Sequence, residues 1–149
     1  MRRTHALTWP FLAVLGFPGI LSAQEPAEEL EAYWNMLYRG SQAAQTCLEE
    51  VMFDGPTDVP CGEMLPAFLR AEELAREVVS CCPEEASFEM DGGGRATLAN
   101  FALAHRVLAD SVTTYAGRSD EEARSRKVAW AGQLLAWRTL IDRFLQGPE

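Results

Sequence analysis

The spacing of apolar residues constrains the fold of this chain more than any other feature. In four segments, apolar side chains recur at alternating steps of three and four residues, which places them on one face of an α-helix. The segments span residues 26–53, 63–82, 96–116 and 120–146. Hardly any stretch alternates apolar and polar residues with period two, so a β-sheet is not expected. The sequence therefore predicts an all-α fold, an antiparallel four-helix bundle.

The apolar faces of these helices form the predicted core. In chain order they read Leu30, Tyr33, Trp34, Leu37, Ala44, Leu48, Val51 and Met52; Leu65, Phe68, Leu69, Leu74, Val78 and Val79; Leu98, Phe101, His105, Leu108, Val112 and Tyr115; and Trp130, Leu134, Trp137, Ile141 and Phe144. Leu103 and Val107 point away from the stripe of the third helix, so we expect that helix to be buried on two faces.

Glycine and proline residues separate the predicted helices. Residues 54–62 and 83–94 are loops by composition, and Gly117 ends the third helix. We expect Pro66 in the first turn of the second helix, where its missing amide hydrogen is not needed.

Two short motifs predict local detail. Ser119 and Glu122 match the capping box, in which each side chain bonds the backbone amide of the other residue at a helix start. Gly40 and Ser41 interrupt the apolar stripe of the first helix and predict either a kink or a close contact with another helix.

The first 23 residues have the three-part layout of a secretory signal peptide. Arg2 and Arg3 provide the positive start, residues 6–21 are mostly apolar, and Ala23 is the small residue at the expected cut. The apolar run is shorter than the ~20 residues that a membrane-spanning helix needs. We therefore expect a signal peptide at 1–23, a single helical-bundle domain at 24–149, a periplasmic or secreted location, and no membrane span after cleavage.

The charge of the chain is strongly negative and unevenly distributed. Cleavage after Ala23 would remove two arginines and no acidic residue, which changes the net charge from −9 to −11. This charge argues against a nucleic-acid partner, since phosphate binding needs cations. Residues 24–94 contain 16 acidic residues and three arginines, whereas residues 95–149 contain eight cations and six acidic residues.

The first two helices should therefore present an acidic surface. Such a surface attracts a basic protein and speeds its association. The alternative is that the acidic residues only keep an exported protein soluble. The candidate binding residues are Glu49, Glu50, Glu72, Glu73 and Glu77.

The chain has four cysteines, and an even number in an exported protein points to disulfide bonds. If the first two helices are antiparallel, Cys47 and Cys61 lie at the same end of the molecule. Cys81 and Cys82 then lie nearly 30 Å away at about 1.5 Å per residue, far beyond the ~7 Å that a disulfide allows between Cα atoms. Cys47–Cys61 is therefore the favoured pair.

Other arrangements of the cysteines stay open. Cys81 and Cys82 could each bridge to one of the other two cysteines if the helices bend, remain free thiols, or form an intermolecular bridge. Adjacent cysteines rarely bond each other. A copper(I) site using these thiols and Met90 is a further alternative, because copper(I) prefers sulfur ligands.

Catalytic motifs are not found in the sequence. His105, the sole histidine after cleavage, is a candidate haem or metal ligand or a hydrogen-bonded core residue. The haem-attachment motif C-x-x-C-H is missing, and the glycines at 92–94 lack the lysine and serine or threonine of a phosphate-binding loop. The leading hypothesis is an exported non-enzymatic protein without a cofactor, of inhibitor or immunity type or an envelope-assembly factor, that binds a protein partner. The alternative is a periplasmic carrier of haem, metal or a small molecule.

Overall fold

The computed structural model describes residues 26–53 and 58–147. Most of them belong to four α-helices, α1 (Pro26–Met52), α2 (Asp58–Cys81), α3 (Leu98–Tyr115) and α4 (Glu121–Gln146). A short 3-10 turn at Pro83–Glu85 and two strands, β1 (Ser87–Glu89) and β2 (Arg95–Thr97), connect α2 to α3. The predicted signal peptide lies outside the described residues. Across residues 26–53 and 58–147, no helix is both long and apolar enough to traverse a lipid bilayer.

Helices α1 and α2 run in opposite directions, so the end of each lies beside the start of the other. We use these two places to name the two ends of the molecule. At one end, here called the disulfide end, Cys47 near the end of α1 is bonded to Cys61 near the start of α2. At the opposite end, here called the hairpin end, the Cys81 thiol donates to the Glu29 carboxylate at the start of α1, 3.3 Å away. The strands β1 and β2 follow α2 at this same end.

Helices α3 and α4 complete the core. The Tyr33 hydroxyl donates to the carbonyl of Leu98, 2.7 Å away, which places the start of α3 at the hairpin end. The chain returns in α4, where the Phe144 ring stacks on Trp34 with 4.3 Å between ring centroids. Helix α1 therefore lies between α2 and α4, and successive helices are antiparallel.

The corner between α3 and α4 is held by an aromatic ring and a buried amine. The guanidinium groups of Arg118 and Arg126 lie 4.4 and 5.2 Å from the centre of the Tyr115 ring. The ammonium group of Lys127, the chain's only lysine, is buried and donates to the carbonyl of Arg118, 2.7 Å away. That carbonyl lies just beyond the end of α3, where a cation is favourable.

Most of the predicted stripe residues are buried in one core. The exceptions are exposed or only partly buried: Leu30, Met52, Leu65, Leu69, Val79, Tyr115, Trp130, Trp137 and Phe144. The prediction that α3 is buried on two faces is wrong, because Leu103 and Val107 are 40% and 54% exposed. Helix α3 packs on its neighbours through the single stripe that carries Phe101 and His105.

Gly40 allows α1 and α2 to approach closely. A Cβ atom placed on Gly40 would lie 2.5 Å from Cε1 of Phe68 on α2, far inside van der Waals contact. Helix α1 continues through this position. Of the two outcomes that the interruption predicts, the structure shows the close helix contact.

The two strands were not predicted. They form an antiparallel hairpin in which Phe88 pairs with Ala96, and Gly92 and Gly93 adopt the positive φ angles of 97° and 84° that the reversal requires. Strands of three residues are too short to show alternation in the sequence. The hairpin places the Phe88 ring against Trp34 and closes the core at this end.

The helix starts also differ from the prediction. Helix α2 begins five residues earlier than expected, at Asp58, so Pro66 lies inside the helix instead of in its first turn. At α4 the predicted capping box does not form. The N-cap is Asp120, whose carboxylate accepts a hydrogen bond from the Ala123 amide, 3.1 Å away, while Glu122 pairs with arginines.

Candidate functional site

The predicted disulfide is present. Cys47 and Cys61 are bonded, with 4.8 Å between their Cα atoms and 14 residues between them in sequence. Closing a segment of this length stabilises the fold by about 3 kcal/mol in the chain-entropy estimate. The bond excludes the alternative in which these two cysteines each bridge to Cys81 or Cys82.

Cys81 and Cys82 are free thiols at the hairpin end, with Cys81 exposed. The neighbouring Cys82 thiol, partial burial and the Glu29 carboxylate together raise the pKa of Cys81 to about 12. Cys81 is therefore protonated at neutral pH, whereas nucleophilic attack and metal binding need the thiolate. Nowhere in the described parts of the chain do three His, Cys, Asp or Glu side chains come together in a way that could hold a metal ion.

Three of the five candidate acidic residues are in ion pairs. Glu72 accepts from Arg106 of α3, and Arg70 lies between the other two, 2.9 Å from Glu73 and 3.4 Å from Glu77. Their charge is largely balanced by arginines of the same protein. This part of α2 therefore attracts a basic partner less than its sequence indicates.

The other two candidates lie elsewhere. Glu49 and Glu50 are in the last turn and a half of α1 at the disulfide end. There the side-chain amide of Gln45 donates a hydrogen bond to the Glu49 carboxylate, 3.0 Å away. Glu72 follows Cys61 by 11 residues, which is about 16 Å along the helix. The structure therefore does not bring the five candidates together on one surface.

A different set of acidic residues lies at the hairpin end. The start of α1 and the 3-10 turn after α2 meet there, since Glu29 contacts Cys81 directly. None of these carboxylates forms an ion pair within the described residues. We call this set the acidic end; it consists of Glu28, Glu29, Glu31, Glu84 and Glu85.

Sequence reasoning missed the acidic end because its members are about 55 residues apart in the chain. Glu28 and Glu29 do lie in the first turn of α1, where the helix dipole favours negative charge. The antiparallel course of α1 and α2, which the sequence did predict, could have indicated that residues 84 and 85 return to the same place.

His105 is enclosed in the core. Its ring lies against Phe68, Phe101 and Trp137, with centroid distances of 5.1, 4.6 and 4.1 Å. Burial lowers the pKa of His105 to about 4, so the imidazole is neutral at pH 7. Nδ1 donates to the Phe101 carbonyl, 2.8 Å away.

This hydrogen bond decides the chemistry of the other ring nitrogen. A carbonyl oxygen only accepts, so the proton is on Nδ1 and Nε2 carries a free lone pair, as it does in a metal-binding histidine. Within the described residues, Nε2 is buried and has no partner. Any ligand would have to displace one of the surrounding rings to reach it.

An open groove of about 280 Å³ lies between α1 and α4 at the disulfide end. Most of its surface is apolar. It is lined by Gln45, Leu48, Glu49 and Met52 of α1 and by Ala131, Gly132 and Leu135 of α4. No pattern in the sequence indicates this groove, because Leu135 lies outside the stripe that predicts the buried face of α4.

Comparison of the chain with protein-family models, with curated proteins and with solved structures finds no match.

Proposed function

We propose that this protein is an exported, non-enzymatic antiparallel four-helix bundle that binds a basic protein partner. Export follows cleavage of residues 1–23, and the partner is held at the acidic end. The protein acts as an inhibitor or immunity-type factor, or as an assembly factor of the cell envelope. The observation that carries the proposal is the group of five carboxylates at the hairpin end, none of which forms an ion pair in the described residues.

The disulfide supports the proposed location. Bonds such as Cys47–Cys61 form and persist in oxidising compartments, outside the cytosol of most organisms. The N-terminal sequence supports the same location, because a positive start and an apolar run precede the acidic stretch that begins at Glu25.

The acidic end supports the proposed partner. Its carboxylates are on two segments, the start of α1 and the 3-10 turn, which adjoin where Glu29 contacts Cys81. Charges of one sign on a small surface raise the local concentration of an oppositely charged protein and its rate of association. Because such attraction is screened beyond about 8 Å at physiological ionic strength, binding should weaken as salt rises.

The placement of His105 supports a non-enzymatic role. A general base must reach the proton that it removes, at about 2.6–3.2 Å or through one water. The rings of Phe68, Phe101 and Trp137 separate the His105 imidazole from solvent.

A pull-down from an envelope extract of the host tests the proposal. The protein is immobilised and exposed to the extract at low salt, and bound proteins are eluted with increasing salt and identified by mass. We expect a basic protein that elutes early in the gradient. Recovery of no protein at low salt would count against the proposal.

A pair of matched variants locates the binding surface. Replacing Glu31, Glu84 and Glu85 with glutamine removes three charges from the acidic end and should abolish recovery of the basic protein. Glu63→Gln, Asp110→Asn and Glu121→Gln together remove three charges elsewhere and should leave recovery unchanged. Equal recovery with both triple variants would contradict binding at the acidic end.

The second candidate function is a carrier of haem, metal or a small molecule. The free lone pair of the His105 Nε2 atom favours it. An absorption spectrum and metal analysis of protein purified from its host test this candidate. A haem band that disappears in His105→Ala would support it, whereas a colourless, metal-free protein would remove it.

A further inference from the structure

We propose that the adjacent thiols of Cys81 and Cys82 form a dithiol site that binds a trivalent arsenic compound carrying one organic group, through two As–S bonds. Both thiols are free, they lie at the hairpin end, and Cys81 is exposed. The site goes beyond the proposed function, because its ligand is a small molecule and its donor atoms are sulfurs instead of carboxylate oxygens.

The end of α2 brings the two thiols together. Cys81 is the last residue of α2, and Cys82 is the first residue beyond it. Adjacent side chains within an α-helix point to different faces. The φ and ψ angles of Cys82 are −145° and 67°, which are not helical, so its side chain is free of that constraint. The Cys82 thiol lies beside the Cys81 thiol, where one bridging atom can reach both sulfurs.

Two acceptors hold the Cys81 thiol in place. It donates to the Glu29 carboxylate, 3.3 Å away, and lies 3.5 Å from the carbonyl of Val78. The Cys82 thiol, desolvation and the Glu29 carboxylate raise the pKa of Cys81 to about 12, so this thiol is protonated at neutral pH. Because the thiolate is the species that attacks a disulfide, the protonated thiol is oxidised slowly. The pair can therefore persist as a dithiol in an oxidising compartment.

The number of donors selects the ligand. A structural zinc ion takes four protein ligands. Within the described residues, no three His, Cys, Asp or Glu side chains are placed to hold a metal ion together. An arsenic(III) centre with one organic group has only two exchangeable positions, so two thiols complete its coordination. Arsenic(III) is soft and pyramidal, so it prefers sulfur and holds two sulfurs on the same side, whereas two-coordinate copper(I) holds them on opposite sides.

The binding reaction is a condensation without electron transfer. The ligand is R–As(OH)2, where R is the organic group. Two As–O bonds and two S–H bonds break, two As–S bonds form, and two water molecules leave with the thiol protons. Arsenic stays trivalent, so no oxidant or reductant is needed. Since no free proton is released, unlike in metal binding by thiols, the affinity should be the same at about pH 6 and about pH 8.

Titration with phenylarsine oxide, which hydrates to a compound of this class, tests the site. The protein is recovered without reductant after expression of the full chain, and iodoacetamide should label two thiols on a sample of it. Native mass spectrometry should show one phenylarsenic group bound to each unlabelled chain, and calorimetry gives the dissociation constant. Excess ethanedithiol should remove the group. The Cys47–Cys61 disulfide has no thiol to offer and should stay intact.

Single substitutions test the need for both thiols. Cys81→Ser and Cys82→Ser each leave one thiol, so the second As–S bond, which closes within one molecule, is lost. Each variant should raise the dissociation constant at least about a hundredfold. Circular dichroism checks that the variants are folded.

A double substitution tests the placement of the thiols. Ser80→Cys combined with Cys82→Ser keeps two adjacent cysteines but puts both inside α2, where adjacent side chains diverge. The dissociation constant should be at least about tenfold above that of the wild type, because the two thiols no longer suit one bridging atom. Equal affinity would show that the backbone of Cys82 does not create the site.

A matched pair of variants tests the role of Glu29. Glu29→Gln removes a charge that raises the pKa of Cys81, so iodoacetamide should label Cys81 faster at neutral pH. Glu28→Gln removes the neighbouring charge in the same turn and should leave the rate close to that of the wild type. Equal rates for the two variants would contradict the role of Glu29.

Four results would overturn the proposal as a whole. The first is a wild-type protein that binds no phenylarsenic group when the probe is equimolar. The second is a single-thiol variant that binds the probe as tightly as the wild type. The third is protein recovered with Cys81 and Cys82 already joined, which iodoacetamide does not label. The fourth is an affinity that rises steeply with pH, as the affinity of thiols for a metal ion does.

Discussion

Burial of His105 makes the stability of this protein depend on pH in a defined window. The native state keeps the imidazole neutral down to a pKa of about 4, whereas the unfolded chain binds the proton near the ordinary value of 6.5. Between these values the unfolded state binds more protons than the native state, so protonation favours unfolding. The free energy of unfolding is therefore highest above pH 6.5 and falls as the pH drops towards 4. Below pH 4, protonation of His105 lowers it no further.

The expected size of the effect follows from the pKa difference. A shift of one unit corresponds to 1.36 kcal/mol, so the change from 6.5 to about 4 gives a loss of about 3 kcal/mol across the window. This is a large part of the ~5–15 kcal/mol that stabilises a typical domain.

Urea denaturation followed by tryptophan fluorescence measures the loss at a series of pH values. The carboxylates also titrate in acid, and a variant separates their contribution from that of His105. His105→Leu has no ionisable group at this position, and the Phe101 carbonyl still accepts the backbone amide of residue 105 in the helix. We expect the stability difference between wild type and variant to change by about 3 kcal/mol between pH 7 and 4. Parallel pH profiles for the two proteins would refute the reasoning.

Three further predictions concern the fold. Gly40→Ala should lower the free energy of unfolding by about 1–3 kcal/mol, because its Cβ would overlap the Phe68 ring. Gly62→Ala, where nothing lies within 4 Å, should raise it by about 0.5–1 kcal/mol, and urea titrations of both variants measure these changes. Replacing Cys47 and Cys61 with alanine should lower that free energy by about 3 kcal/mol, and replacing Cys81 and Cys82 with serine should not; thermal melts at fixed pH reveal any reversal of this order. Asp120→Ala should lower the urea midpoint more than Ser119→Ala, since Asp120 alone accepts the Ala123 amide; a larger effect at Ser119 would favour the capping box.

The helices could be predicted from the sequence because each has one buried face, and a single face leaves a period that can be read without knowing the neighbours. Leu134 and Ile141 of α4, seven residues apart, are both buried as expected. The spacing of apolar residues does not indicate how far burial extends around a helix. Leu103 and Val107 are apolar yet exposed, since no element of the described chain covers that side of α3.

Other features depend on information that local sequence does not contain. The hairpin is stabilised by the packing of Phe88 on Trp34, a contact between residues 54 positions apart, and not by strand propensity. Similarly, Ser119 and Asp120 are adjacent and both suit an N-cap. The path of the chain out of the preceding turn determines that Asp120 caps α4.

The candidate site was harder to predict than the fold. Charge counts located the excess of acidic residues in residues 24–94 but did not show which of them are balanced. Arg106, from α3, is placed beside Glu72 only by the packing of α3 on α2, so the sequence overstated the acidity of this surface. The acidic end needed the same kind of long-range information.

The burial of Lys127 gives the protein a built-in chemical reporter. Acylating reagents modify the neutral amine, and here that nitrogen is held against the Arg118 carbonyl, away from the reagent. Modification must wait until the corner between α3 and α4 opens. Since the chain has no second lysine, the mass gained at this residue over time would record the opening rate of that corner without interference from other side chains.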